Sequence, residues 1–320
     1  MGRPFSDRVA GADWRREVSA WISEQLQLRG HWVTGTIAQP RIRPWSTQLT
    51  VPTSEGLMWF KANAVGLTFE PGLQAELSRI APHSVDKPYA IDAERGWMLT
   101  RELGETLGDS HELTEDDWRR LLGEVAAIQR AAADHRESLL IAGLPNFAPV
   151  TVLDRYDRVV EVFSSLPDGH PAHVSADLRG LLRTARPAIA RAVDTLTESS
   201  LPVTWQHGDL HPGNVFAVGD RLKLFDFGDG QWAHAAEVMC VPYGWITTMT
   251  PHSWPAVLNA YREVWEVQSA DLDDQLAAAT LTQAVNRAVS WSTSLDEATA
   301  AEWAQWGAFP LHHLTRVLEP

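Results

Sequence analysis

The sequence predicts an α+β chain in two lobes, a small β-rich lobe over residues 1–100 and a larger, mainly helical lobe over residues 101–320. Three observations carry that expectation. Short runs with strand alternation, separated by turn residues, crowd residues 47–100. Stretches with the helical period dominate from Thr114 onward. Between Val203 and Asp229 a compact pattern of strand, tight loop, strand, turn and strand interrupts them. With 320 residues, 44% hydrophobic and 21% charged, the chain is long enough for two lobes and short for more.

Asp13 to Leu28 reads as an amphipathic helix, with Trp14, Val18, Trp21, Ile22 and Leu26 near one face and Gly30 just past its end. Thr47–Val51 and Leu57–Ala62 flank the turn Thr53-Ser54-Glu55-Gly56 as a hairpin. In its second strand Leu57, Trp59 and Lys61 alternate with Met58, Phe60 and Ala62. Pro71 opens a short helix to Ile80 that carries Leu73, Leu77 and Ile80 inward. Lys87–Ile91 and Trp97–Thr100 form a second hairpin across Ala93-Glu94-Arg95-Gly96. Thr114 followed by Asp117 has the form of a helix cap leading into Trp118, Leu121, Leu122, Val125 and Ile128. Val152–Leu166 and Ser175–Leu196 repeat the helical period. Val203-Thr204-Trp205 leads to a small sheet, Val215–Ala217 and Leu222–Phe225 around a turn at Gly219. Gln231–Ile246, Ser253–Val267, Asp271–Trp291 and Leu295–Leu318 all have helical character.

Chemistry concentrates in Trp205-Gln206-His207-Gly208-Asp209-Leu210-His211-Pro212-Gly213-Asn214-Val215 and Leu224-Phe225-Asp226-Phe227-Gly228-Asp229. A loop carboxylate such as Asp209 suits the orienting of a hydroxyl and the taking of its proton. The amide oxygen of Asn214 and the carboxylate of Asp226 suit a hard cation such as Mg²⁺. Four residues separate Asp209 from Asn214, the spacing of the kinase catalytic loop, and Asp226-Phe227-Gly228 repeats its metal-binding triplet. A rival reading places His207, Asp209 and His211 on one side of an extended strand as zinc ligands of a metallohydrolase. Pro212-Gly213 would end such a strand. In the first reading His207 buttresses the loop, His211 orients its turn and Gly213 relieves its backbone.

His-Gly-Asp-Leu-His-Pro-Gly-Asn-Val with a downstream Phe-Asp-Phe-Gly resembles the aminoglycoside phosphotransferase and choline kinase family. That resemblance implies a protein-kinase-like fold, with a nucleotide-binding N-terminal lobe and a C-terminal lobe that holds the catalytic loop, the metal site and the acceptor pocket. It implies ATP and Mg²⁺ as cofactors and a small-molecule hydroxyl as acceptor. Asp209 matches the catalytic base, and Asn214 and Asp226 match the metal ligands. A lysine in an apolar strand needs a partner, since an unpaired buried charge is costly. Lys61 and Glu76 resemble the kinase Lys and Glu pair that holds the α and β phosphates. Arg41 to Thr47 stands where a glycine-rich phosphate loop would be and has no glycine. Ser46 and Thr47 are its candidate phosphate contacts, while Arg41 and Arg43 read equally as surface residues. Leu99 to Gly104 resembles the interlobe hinge, with Thr100 and Glu102 as candidate adenine-side residues. A non-catalytic nucleotide-binding regulator is the alternative from another class.

A net charge of −14 argues against nucleic acid as a partner. From Asp229 to Pro320 there are eleven carboxylates against three arginines and no lysine, a net −8, which favours an amine-bearing acceptor by steering. Asp271, Asp273 and Asp274 also suit a helix N-terminus. Trp232, Trp245, Trp254, Trp265, Trp291, Trp303 and Trp306 read as packing bulk before pocket lining. The single Cys240, the lack of an apolar leader and the lack of a run of about 18 apolar residues lead to the expectation of a cytoplasmic protein without membrane contact.

Overall fold

The structure, a computed structural model, describes residues 3–319. Two helices, α1 (Phe5–Val9) and α2 (Ala12–Gln27), precede the strands β1 (Ala38–Ile42), β2 (Ser46–Thr53) and β3 (Gly56–Asn63). Helix α3 (Glu70–Ile80) follows, then β4 (Ala90–Asp92) and β5 (Trp97–Arg101). The five strands form one antiparallel sheet in the order β1-β2-β3-β5-β4.

The alternation expected of β3 sets the two faces of this sheet. Met58, Phe60 and Ala62 are buried against α2, which supplies Trp14, Val18, Trp21, Ile22 and Leu26. The rings of Trp14, Trp21, Phe60 and Trp97 meet edge to face at 5.7–6.5 Å, and each buried aliphatic side chain adds about 1.5–3 kcal/mol. Trp59 and Lys61 are left on the opposite face, toward the second lobe.

That lobe contains α4 (Leu107–Ser110), α5 (Glu115–Ala132), α6 (Arg136–Ile141), α7 (Val152–Ser165) and α8 (Ala176–Thr197). Thr114 and Asp117 cap α5 reciprocally, as their spacing predicts. Four short strands follow, β6 (Val203–Gln206), β7 (Val215–Val218), β8 (Arg221–Leu224) and β9 (Gln231–His234). The chain ends in α9 (Cys240–Met249), α10 (Trp254–Trp265), α11 (Ser269–Ser294), α12 (Ala300–Trp306) and α13 (Ala308–Thr315). Strands β7 and β8 make the small hairpin, whereas β6 pairs with β9.

The helical reading of Gln231–Ile246 is therefore corrected at its start. All four residues of β9 are buried, so no polar face marks the strand. Trp232 lies opposite Trp205, and the Gln206 amide donates to Gln231 Oε1 at 2.8 Å. Leu295–Leu318 is likewise broken, at Gly307, where a Cβ would stand 2.5 Å from Trp303 O. Among the described residues no helix is long and apolar enough to cross a membrane.

Candidate active site

The lobes enclose a crevice of about 680 Å³ whose lining includes Lys61, Glu70, Asp209, Asn214, Asp226 and Asp229. The loop from His207 to Asn214 is shaped by a close approach. Gly208 has φ +81°, and a Cβ there would stand 2.0 Å from Asp229 O, so only glycine lets the two motif halves touch. Gln206 Oε1 accepts the Gly208 N–H at 2.6 Å.

His207 is buried between Trp205 and Phe227, with ring centroids 6.0 and 5.6 Å away. Its Nε2 bonds Phe225 O at 3.0 Å and its Nδ1 accepts the Asp209 N–H at 3.4 Å. Burial holds its pKa below the ordinary histidine value, so the ring is a neutral buttress. These bonds commit both of its nitrogens, and the backbone of Gly208 is not extended. The zinc reading of His207, Asp209 and His211 is thereby overturned. Among the described residues no group of three His, Cys, Asp or Glu side chains is placed to hold a metal ion.

His211 stacks on Trp245 at 5.6 Å, accepts the Gly213 N–H on Nδ1 at 3.1 Å, and turns Nε2 to within 3.6 Å of Asp209 Oδ2. Burial disfavours a charged Asp209, but His211 and then Arg287 outweigh it and hold the carboxyl at about 2. Asn214 Nδ2 donates to Asp209 O at 2.9 Å, and Asn214 O accepts the Phe225 N–H at 3.2 Å.

Asp226 stands in the left-handed region at φ 63°, ψ 66°, a conformation that costs a non-glycine residue about 1–2 kcal/mol. Neighbours on both sides hold it there. Phe227 is fully buried against Trp205 at 5.9 Å, and Lys61 Nζ lies 2.7 Å from Asp226 Oδ1. Burial opposes ionisation of Asp226, yet Lys61 and then Arg41 keep its carboxyl below the ordinary value.

The same Lys61 ammonium lies 2.7 Å from the Glu70 carboxylate, and Glu70 Oε1 also accepts the Phe227 N–H at 3.1 Å. The expected pairing of Lys61 with Glu76 is corrected on this geometry. Six residues turn a helix by about 600°, which sets Glu76 about 120° around the axis from Glu70. Glu76 pairs with Arg79 at 2.6 Å outside the crevice. Glu70 takes the inward place, completing an i, i+3, i+7 face with Leu73 and Leu77.

Ser46 is a second correction. It is buried and does not line the crevice. Thr47 Oγ1 is also committed, donating to Arg41 O at 2.8 Å. Thr100 and Glu102 do line the crevice. The Glu102 carboxylate is held by the Trp59 indole N–H and by the Gly104 N–H at 2.9 Å.

Sequence reasoning missed Arg287. It is buried on α11, with Nη1 2.6 Å from Asp229 Oδ1 and Nη2 3.6 Å from Asp209 Oδ1. Ser290, one turn on, donates to the same Asp229 oxygen at 2.8 Å. The available signal was one basic residue in a helix whose other residues are all acidic or uncharged. Of the seven tail tryptophans, Trp245 and Trp291 stand at the site, and Trp291 meets Trp45 of the β1–β2 loop at 5.6 Å.

Solved structures with this architecture share little sequence with the chain. The choline kinase LicA from Streptococcus pneumoniae is 14% identical with a TM-score of 0.64, over 96% of this chain and 99% of that one. The macrolide 2'-phosphotransferase MphH from Brachybacterium faecium is 14% identical with a TM-score of 0.60, over 94% and 98%. An ethanolamine kinase from Plasmodium vivax is 11% identical with a TM-score of 0.61, over 89% and 81%. No curated protein matches the chain significantly. Residues 71–272, which span α3 through the start of α11 and so include every catalytic-loop residue described above, match the model of the phosphotransferase enzyme family, and the chain belongs to that family as a small-molecule phosphotransferase.

Proposed function

We propose that the protein transfers the γ-phosphoryl group of ATP, with Mg²⁺, to a hydroxyl of a small amine-bearing molecule. The observation that carries this reading is the convergence of Asp209, Asn214 and Asp226 on one crevice whose opposite wall presents Lys61. Asp226 and the Asn214 side-chain oxygen are hard oxygen donors fitted to Mg²⁺, and the bond from Asn214 Nδ2 to Asp209 O leaves that oxygen available. Held by these two side chains, the ion would offset the negative charge of the phosphates. Lys61 adds charge for the phosphates from the strand above.

Asp209 orients the acceptor hydroxyl. The hydroxyl oxygen forms the new bond to the γ-phosphorus, the bond to the β,γ-bridging oxygen breaks, and ADP leaves with that electron pair. The hydroxyl proton passes to Asp209. A carboxyl held at about 2 is a weak base, so the proton moves late, once the oxygen has become acidic through bond formation. This fits a loose transfer, in which positioning and charge matter more than proton abstraction.

Acceptor preference follows from the crevice itself. Eight carboxylates and three Lys or Arg side chains line it, a field that attracts a cationic acceptor. Asp271, Asp273 and Asp274 contribute little, since a rise of about 1.5 Å per residue puts them about 20–24 Å from Arg287 along α11.

The test is ADP release from Mg-ATP over aminoglycosides, amino sugars, amino alcohols and uncharged hydroxylated antibiotics. Turnover with at least one amine-bearing acceptor is expected. Faster turnover of an uncharged acceptor would sink the steering reading, and no ADP release across the panel would favour the non-catalytic regulator. Asp209→Ala is expected to lower turnover about 100- to 10,000-fold while ATP affinity stays within about threefold.

A further inference from the structure

We infer that Arg41, on the outermost strand of the sheet, is a binding residue for the donor's polyphosphate and takes over the task of a glycine-rich loop. The inference rests on the nucleotide-donor reading above and adds to it a residue and a way of holding phosphate.

The backbone brings Arg41 to the crevice through an irregularity. Ala38 lies opposite Thr50 and Arg41 lies opposite Gln48, so β1 spends three residues where β2 spends two. This is a β-bulge, and the extra residue reverses which side chains face which way. Without it Pro40 would stand opposite Gln48 and Arg41 would point at the α2 face. With it, Arg41, Gln48, Lys61 and Met98 form one cross-strand row, and all four line the crevice. Arg41 and Lys61 are two strands apart, about 10 Å between Cα atoms, a gap that two long cationic side chains can bracket.

Charge accounting points the same way. Three Lys or Arg side chains line the crevice. Lys61 is shared by Glu70 and Asp226, and Arg101 pairs with Glu55 at 3.5 Å. Arg41 has no carboxylate within 4.0 Å among the described residues, and its Nε is buried without a hydrogen-bond partner. A buried guanidinium N–H facing a crevice without an acceptor is costly unless a ligand supplies one.

The loop has few backbone donors to offer instead. Pro40 and Pro44 have no N–H, and the Arg43 N–H is spent on Ser46 O at 2.9 Å. Thr47 fixes Arg41 from behind through its carbonyl. Trp45 packs against Trp291 and Trp306 at 5.6 and 5.2 Å, which ties the hairpin to the catalytic lobe. The strand is therefore clamped, and a fork of fixed donors replaces a flexible cradle.

Titration of the full chain in Mg²⁺ buffer with ATP, inorganic tripolyphosphate and adenosine tests this. Arg41→Ala and Arg41→Gln are expected to weaken ATP and tripolyphosphate about 10- to 100-fold and to leave adenosine unchanged, which also reports on folding. Arg41→Lys should fall between them and wild type. Arg43→Ala, on the exposed arginine over the Trp306 ring, should bind tripolyphosphate within about twofold of wild type. Wild-type binding of ATP with equal affinity in Arg41→Ala or Arg41→Gln overturns the inference and spares the donor reading. A wild-type chain that binds neither ATP nor tripolyphosphate overturns both.

Discussion

Two charged triads face each other across the crevice, each a single cation between two carboxylates. Above, Lys61 touches both Glu70 and Asp226 at 2.7 Å. Below, Arg287 touches Asp229 at 2.6 Å but stands 3.6 Å from Asp209, beyond hydrogen-bond reach. Within each triad the two acids are driven apart. Burial raises Glu70 and Asp229 above their ordinary values, against the pull of Lys61 and Arg287 respectively. Asp226 and Asp209 are held down instead. Environments that separate paired carboxyls in this way divide their roles. One acid of each pair anchors the cation and the other stays ionised. In the upper pair only Asp226 is exposed to the crevice while Glu70 is fully buried, whereas in the lower pair Asp209 and Asp229 are both about a third exposed.

The upper triad is the one whose disruption should cost most. Glu70→Ala removes the carboxylate shared by Lys61 and the Phe227 N–H, so both the lysine and the Asp226-Phe227-Gly228 turn lose their support. Breaking a buried pair by deleting one partner costs about 3–5 kcal/mol, and turnover should fall about 100-fold or more. Glu70→Gln keeps an acceptor for the Phe227 N–H and should lose less of both. Denaturant melts and steady-state kinetics on the two variants separate charge from packing. Equal losses would mean that Glu70 acts only through its charge on Lys61, and an undiminished Glu70→Gln would mean that it serves only as a hydrogen-bond acceptor.

Arg287→Met tests the lower triad with a smaller expected effect, about 10- to 100-fold in kcat. Its sharper readout is pH. The arginine favours the charged form of Asp209, so its removal must raise that carboxyl from about 2. As pH falls, the variant should protonate Asp209 earlier, and the acid limb of its kcat profile should move to higher pH than in wild type. Arg287→Lys should restore most of the wild-type profile. An acid limb that stays in place in Arg287→Met would reduce the residue to packing beneath the Trp291 ring, 5.9 Å away.

The two triads also differ in how far the sequence revealed them. Asp209, Asn214, Asp226 and Phe227 lie in short local spacings, where a loop and a turn fix geometry within a few residues, and so they were legible. The β3 alternation exposed Lys61, and the α2 stripe of Trp14, Val18, Trp21, Ile22 and Leu26 exposed the core beneath it. Arg287 was not legible, because its partners lie 58 and 78 residues away in the chain and only the packing of α11 joins them. Strand β9 was hidden by complete burial. The β1 bulge was hidden because register is a property of two strands, which neither strand's sequence states alone.

Glu76 is the error that can be tested most cheaply. Both glutamates follow Lys61 at plausible distances, and reading α3 from Pro71 left Glu70 outside the helix by one residue. The helix begins at Glu70, and Leu73 and Leu77 then share its side of the axis. Glu76 belongs to a partly exposed pair in which Arg79 pulls its carboxyl down to about 2, and such pairs add little to stability. Glu76→Ala should therefore leave kcat and the KM for ATP within about twofold of wild type, with a melting temperature within about 2 °C. Turnover lost in Glu76→Ala but kept in Glu70→Ala would reverse the assignment, and with it the division of the upper triad into an anchoring acid and an ionised one.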